Sequence, residues 1–246
     1  MVTLPVAVLC GGKGTRIAAV AGDLPKALIP VGGAPLLAHQ LRWLREAGTT
    51  DVVLLTGFRG DRIREFAGDG AAFGLRVRYS DDGGTARGTA GAVARALPLL
   101  GGSFLTVYGD ALLQADPGAV AAALVAPYEG VMSVYRNEGR WLPSNVRVDG
   151  DRVAAYAKRA APGEMTHIDY GINAFRRDAF AGVPTDRAVD LAEIHGGMIA
   201  RGTLRAFPVA ERWYEIGTPQ ALAETERFLA AGPQTQTKRG RRPDAE

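Results

Sequence analysis

The chain has 246 residues, 47% of them hydrophobic and 22% charged, an ordinary balance for a globular protein long enough to bury a sizeable core. Its single cysteine, Cys10, excludes an internal disulfide and fits a reducing cytoplasm. The formal charge of +3 argues against a nucleic-acid partner, because the last nine residues carry +2 of it and leave the rest near neutral.

The opening residues MVTLPVAVLCGG hold an apolar run too short to span a membrane. They also lack the basic flank and small-residue cleavage site of a signal peptide, so residues 5–10 are expected to form a first strand, with no membrane contact. Further strands are expected at 51–56, 75–80 and 103–109, with helices near 35–47, 60–67 and 89–97 between them. In the first helix Leu37, Leu41 and Leu44 form one apolar stripe, Pro35 suits its first turn and Gly48 its end.

After residue 128 the pattern changes. Residues 129–136 read as a strand, and SNVRVDGDRVAAY alternates around Asp149-Gly150 as a hairpin would. A strand at 167–176, a helix at 189–201, a strand at 203–209 and a helix near 219–231 follow. The alternation predicts α/β layers around a mostly parallel sheet. It divides one domain, 1–231, into a 1–128 lobe and a 129–231 lobe, with 232–246 as a disordered basic tail.

The chemistry concentrates in the run CGGKGTRIAAVAGDLPKALIPVGGAP, residues 10–35. Gly11, Gly12 and Gly14 directly follow a buried strand, where they let backbone N–H groups approach an anion. Arg16 supplies a planar charged fork suited to phosphate oxygens, and Lys26 a second cation across the same loop. The P-loop pattern fails here, since Gly14 stands where its Ser or Thr belongs, and the dinucleotide fingerprint fails at Ile17. Three glycines alone would read as a turn. With Thr15-Arg16 and Pro25-Lys26 they read as a triphosphate cradle.

Asp110, ending the strand SFLTVYGD, and Glu215 in RWYEIGTP offer the hard oxygens that a magnesium ion takes, although either one alone reads as a surface acid at a strand end. Gly109 is expected to allow close approach of the backbone to a nucleotide. Gly88 and Thr89 open a helix where small residues would let a flat base lie against the backbone, or where Thr89 would cap that helix. His39, His167 and His195 have no metal-ligand spacing and read as surface or packing residues. Cys10 reads as a core residue, with nothing nearby to lower its pKa.

GGKGTR followed by PKALIPVGGAPLL resembles the signature of the sugar-1-phosphate nucleotidyltransferases, and the resemblance runs over about the first 230 residues. It implies a Rossmann-like mixed sheet, an NTP and a sugar 1-phosphate as substrates, Mg²⁺ as cofactor, and room for a homo-oligomer. It also implies that Arg16 contacts the departing pyrophosphate and Lys26 the phosphate in the transition state. YGD resembles the family's metal-binding strand end and pairs Asp110 with Glu215, where Asp is usual. Lys158 resembles the lysine that contacts the sugar phosphate, although Ala157 stands where an acid is usual. IDYGINAF resembles the sugar-contacting strand, which makes Asp169 and Gly171 sugar contacts, although Gly171 also reads as a glycine for packing; Arg140, Trp141 and Asn145 are further candidates to line that pocket. The D-glycero-D-manno-heptose 1-phosphate guanylyltransferases are the most similar subfamily. Uridylyltransferases of hexose or muramic acid phosphates come next, and a non-catalytic sugar-nucleotide sensor is the alternative of a different class.

Overall fold

The computed structural model describes residues 3–12, 14, 17, 22–158, 163, 165–184 and 187–232. Along the chain come β1 (Val6–Leu9), β2 (Pro30–Val31), β3 (Ala34–Pro35), α1 (Leu36–Glu46), β4 (Asp51–Thr56), α2 (Gly60–Ala67), β5 (Arg76–Asp81) and α3 (Gly88–Leu100). Then follow β6 (Ser103–Tyr108), β7 (Ala111–Leu112), α4 (Pro117–Ala122), β8 (Gly130–Arg136), β9 (Val146–Asp149), β10 (Arg152–Tyr156) and β11 (His167–Arg176). The last elements are α5 (Leu191–Arg201), β12 (Leu204–Val209), β13 (Tyr214–Glu215) and α6 (Pro219–Ala230).

Among the described residues nine strands form one sheet in the order β5-β4-β1-β6-β11-β8-β12-β10-β9. The run β5-β4-β1-β6 is wholly parallel, as crossover helices require. β11 then enters antiparallel between β6 and β8. The expected parallel majority therefore holds for the N-terminal strands, while the hairpin-rich second half restores an even balance.

β1 and β4 are apolar throughout because both faces of the sheet are covered. Val6 and Val8 point into a core with Leu37, Leu41 and Leu44 of α1. Ala7 points the other way, against Ala90, Val93 and Ala96 of α3. This alternation gives three layers, with helices on both faces of the sheet. Pro35 ends β3 and is the N-cap of α1 rather than part of its first turn, because Leu36 is the first residue to turn helical.

The β9–β10 hairpin turns one residue later than expected. Asp149 stays in the strand opposite Arg152, which leaves Gly150-Asp151 as the turn, with positive φ (58°) at the glycine. A bulge interrupts β11 between Asp169 and Asn173, and Gly171 takes φ 106° within it.

Candidate functional site

At the carboxyl ends of β1, β4 and β6 lies a cavity of about 610 Å³. Its walls include Cys10, Gly11, Gly12, Lys26, Gly57, Phe58, Asp82, Arg87, Gly88, Thr89, Tyr108 and Asp110. The two loops that follow β1 and β4 cross in contact: Phe58 N donates to Gly11 O at 3.2 Å, and a Cβ on Gly57 would stand 3.0 Å from that same oxygen. The crossing therefore presses harder on position 57 than on position 11, where an added Cβ would meet Gly57 N at 3.4 Å, an ordinary contact. Gly14 takes φ 63°, which favours glycine, and Gly12 lines the cavity with no described atom against its free side. Thr15 and Arg16 lie outside the described residues.

Lys26 Nζ donates to Asp110 Oδ2 at 2.7 Å, so two of the three charged residues predicted for catalysis meet at the cavity wall. The Lys26 side chain is largely buried (13% exposed), whereas Asp110 keeps 39% exposure and can reach a ligand. Burial, assisted by the Asp110 charge, pushes the Cys10 thiol up to about 12, which keeps it protonated and unreactive. Gly109 lines the cavity as well, and a side chain there would strike Leu9 O, so the glycine also lets the ends of β1 and β6 lie together.

Gln40, a residue the sequence does not single out, is buried in α1. Its Nε2 donates to Tyr108 O at 2.9 Å and Ala111 O at 2.7 Å, fastening the backbone on both sides of Asp110. Its only sequence signal is a glutamine inside an otherwise apolar helix face.

β13 pairs with β7 so that Glu215 stands opposite Ala111, and Ile216 N donates to Asp110 O at 3.1 Å. The two proposed metal carboxylates therefore sit on adjoining backbone segments. Their hard oxygens suit a magnesium ion shared with phosphates. Asp110 faces the cavity, whereas Glu215 is not among its lining residues and accepts a hydrogen bond from Gly217 N at 3.1 Å.

The residues predicted for the acceptor form a second, connected group. Tyr108 Oη donates to Asp169 Oδ2 at 2.8 Å, and Gly171 N donates to Oδ1 at 3.1 Å. Asn145 Oδ1 accepts from Asp169 N at 2.9 Å. Burial raises Asp169 to about 6 despite those hydrogen bonds. Tyr108 also lines the cavity and so joins the two groups. Gly171 packs against Tyr108, whose Cδ2 would lie 3.1 Å from an added Cβ. Lys158 Nζ donates to Asp190 Oδ2 at 2.5 Å. The acid missing at position 157 is thus matched by one at the N-cap of α5. A capping box, with Asp190 as cap and Glu193 returning to its backbone, was the legible sign of that position. Arg140 pairs with Glu138 at 2.7 Å, and the Arg212 guanidinium lies over Trp141, 3.5 Å from the ring centroid.

Gly88 and Thr89 line the cavity, but packing on another segment accounts for their identity. A side chain on Gly88 would collide with Val189 O, which accepts from Ala90 N at 2.9 Å. Thr89 does not cap its own helix; its Oγ1 accepts from Leu191 N at 2.8 Å at the start of α5. His195 is the packing residue expected, fully buried between Tyr156 and Phe175, and His39 holds Val31 O at 2.9 Å.

Residues 6–184 match the family model of the MobA-like NTP transferase domain. The N-acetylmuramate alpha-1-phosphate uridylyltransferase of Neisseria meningitidis serogroup B is 29% identical over 232 residues, covering 91% of this chain and 97% of that protein. The D-glycero-alpha-D-manno-heptose 1-phosphate guanylyltransferase of Campylobacter jejuni is 28% identical over 109 residues, 44% of this chain and 48% of that one. A putative glucose-1-phosphate thymidylyltransferase from Bacillus anthracis shares the fold with a TM-score of 0.79 at 21% identity, over 91% of this chain and 94% of the other. Nucleotidyltransferases of this family generally use a divalent metal ion. With its nine-stranded sheet, its cavity over the parallel strand ends and a family match across most of its length, the chain belongs to the MobA-like NTP transferase domain family and is a nucleotidyltransferase.

Proposed function

We propose that the enzyme transfers a nucleoside monophosphate from an NTP to a sugar 1-phosphate, forming an NDP-sugar and pyrophosphate. The observation that carries this reading is the continuity of the two groups: Lys26 and Asp110 at the cavity wall join, through Tyr108, to the buried Asp169. A phosphate oxygen of the sugar phosphate attacks the α-phosphorus in line, and the bond from that phosphorus to the bridging oxygen breaks as pyrophosphate leaves. The nucleophile is already anionic, so no general base is required and catalysis rests on position and charge neutralisation.

Lys26 stabilises charge on the α-phosphate, Arg16 holds the leaving pyrophosphate, and Lys158 orients the acceptor phosphate. Asp169 and Asn145 form the polar floor for the sugar, and Gly171 keeps that floor clear of a side chain. Mg²⁺, held by Asp110 with Glu215 and the phosphates, would supply Lewis-acid neutralisation of the transferring phosphate. Among the described residues no helix is long and apolar enough to cross a membrane. The cytoplasm is the compartment this reading assigns, in keeping with the free thiol of Cys10.

The test is pyrophosphate release with Mg²⁺ and each of the four common NTPs, against heptose, hexose and N-acetylmuramic acid 1-phosphates. Release that depends on one sugar phosphate is expected. Nucleotide-sugar binding without release from any pair would instead support a sensor.

A further inference from the structure

The loop between β5 and α3 contains two charged side chains of unusual standing. Its backbone is pinned: Asp82 N donates to Thr56 O at 2.9 Å, and Val189 N donates to Arg87 O at 2.8 Å. Asp81 is engaged in holding the loop, accepting from Thr56 Oγ1 at 2.9 Å and Gly83 N at 2.7 Å. Asp82 and Arg87 are not. Both line the cavity, and among the described residues neither the Asp82 carboxylate nor the Arg87 guanidinium has a hydrogen-bond or ion-pair partner. Arg87 Nε is wholly buried in that condition. Asp82 Oδ2 lies over the crossing of the glycine loops, 3.7 Å from where a Cβ of Gly11 would stand and 3.6 Å from that of Gly57. The two charges sense each other, since Arg87 opposes the rise that burial causes in the Asp82 pKa, but they do not pair. An acceptor-only group and a donor-only group held apart in one cavity define a complementary ligand edge.

We propose that Asp82 and Arg87 select guanine, Asp82 accepting from N1–H and the 2-amino group while Arg87 donates to O6. This rests on the reading of the cavity as the nucleotide site. Among the common bases only guanine presents two adjacent donors to a carboxylate, with an acceptor next to them. Uracil offers one donor flanked by two carbonyls. Adenine and cytosine each place an acceptor nitrogen beside their amino group. Every alternative sets an acceptor lone pair against Asp82, and a partly buried polar group left facing its like is the strongest source of discrimination available to a pocket.

The test measures dissociation constants of GTP, ITP, XTP, ATP, CTP and UTP in the presence of Mg²⁺, without acceptor, for the native protein and Asp82→Asn. The native protein is expected to bind GTP about 100-fold more tightly than UTP, with ITP, which lacks the 2-amino group, about tenfold weaker than GTP. Asp82→Asn is expected to lose GTP and gain XTP, whose 2-carbonyl accepts from the new amide. UTP bound as tightly as GTP by the native protein overturns the proposal and leaves nucleotidyl transfer standing. So does unchanged GTP binding in Asp82→Asn. Failure of every nucleotide to bind the native protein overturns the nucleotide reading of the cavity, and the proposal with it.

Discussion

The two sides of the site differ in how far their polar groups already satisfy one another. On the base side, Asp82 and Arg87 line the cavity without partners among the described residues, on a backbone pinned by Thr56 and Val189. On the acceptor side every polar group named has one: Lys158 holds Asp190, Asp169 takes Tyr108 Oη and Gly171 N, and Asn145 takes Asp169 N. A ligand on the base side completes hydrogen bonds that the protein leaves open. A ligand bound on the acceptor side as proposed would exchange partners, above all by drawing Lys158 from Asp190. On the proposed reading, affinity is concentrated in the nucleotide and the acceptor side works by rearrangement.

The largest effect is expected where the two sides meet. Asp110→Ala removes the carboxylate beside Lys26 and is expected to lower pyrophosphate release by about 10³-fold, with circular dichroism and melting temperature near native, since Asp110 is partly exposed. Retention of full turnover would remove Asp110 from the mechanism and separate the two sides altogether.

The next effect tests the exchange itself. Lys158→Ala is expected to raise KM for the sugar phosphate by about 100-fold while the nucleotide dissociation constant stays within about twofold. Asp190→Asn is the sharper variant. Asparagine caps a helix as well as aspartate does, so α5 keeps its hydrogen bond to Ala192 N, while Lys158 loses its ion pair. If the pair competes with substrate, KM for the acceptor falls by a few fold; if Asp190 orients Lys158, it rises.

The fold was legible where one period dominated: the apolar run of β1, the stripe of Leu37, Leu41 and Leu44 in α1, and the strand from His167 to Arg176 all stand where the pattern put them. β2, β3, β7 and β13 are two residues each, too short to show a period, yet the last two bring Glu215 beside Asp110. Side-chain partners were harder to foresee for the same reason. The link from Gln40 to Tyr108 and Ala111 spans about seventy positions, and only the packed sheet brings it about. Gly88 and Thr89, expected beside a nucleotide base, line the cavity, while their contacts run to Val189 and Leu191, about a hundred positions away. Asp82 and Arg87 lie in a loop with no periodicity, and the role proposed for them rests on their lack of partners among the described residues.

The smallest effect concerns protons on the acceptor side. Folding buries Asp169 and raises it to about 6, so its protonated form is favoured in the folded state. That contribution to stability is full below about pH 4 and lost as pH rises through about 6, worth about 3 kcal/mol in all. His195, driven down to about 4 by burial and with neither ring nitrogen partnered among the described residues, acts in the opposite sense. Its contribution is full above about pH 6.5 and lost as pH falls through about 4. The two nearly cancel between pH 4 and 6, so the native melting temperature should change little there on their account. Asp169→Asn should steepen the acid loss of stability and His195→Leu should flatten it. In activity the same carboxyl must be ionised to accept from a sugar hydroxyl, so KM for the acceptor should rise about tenfold from pH 7 to pH 5. The acceptor phosphate titrates in that range as well. Asp169→Asn keeps the phosphate titration and removes the carboxyl, so a KM profile with the same slope in both proteins would assign the whole pH dependence to the substrate.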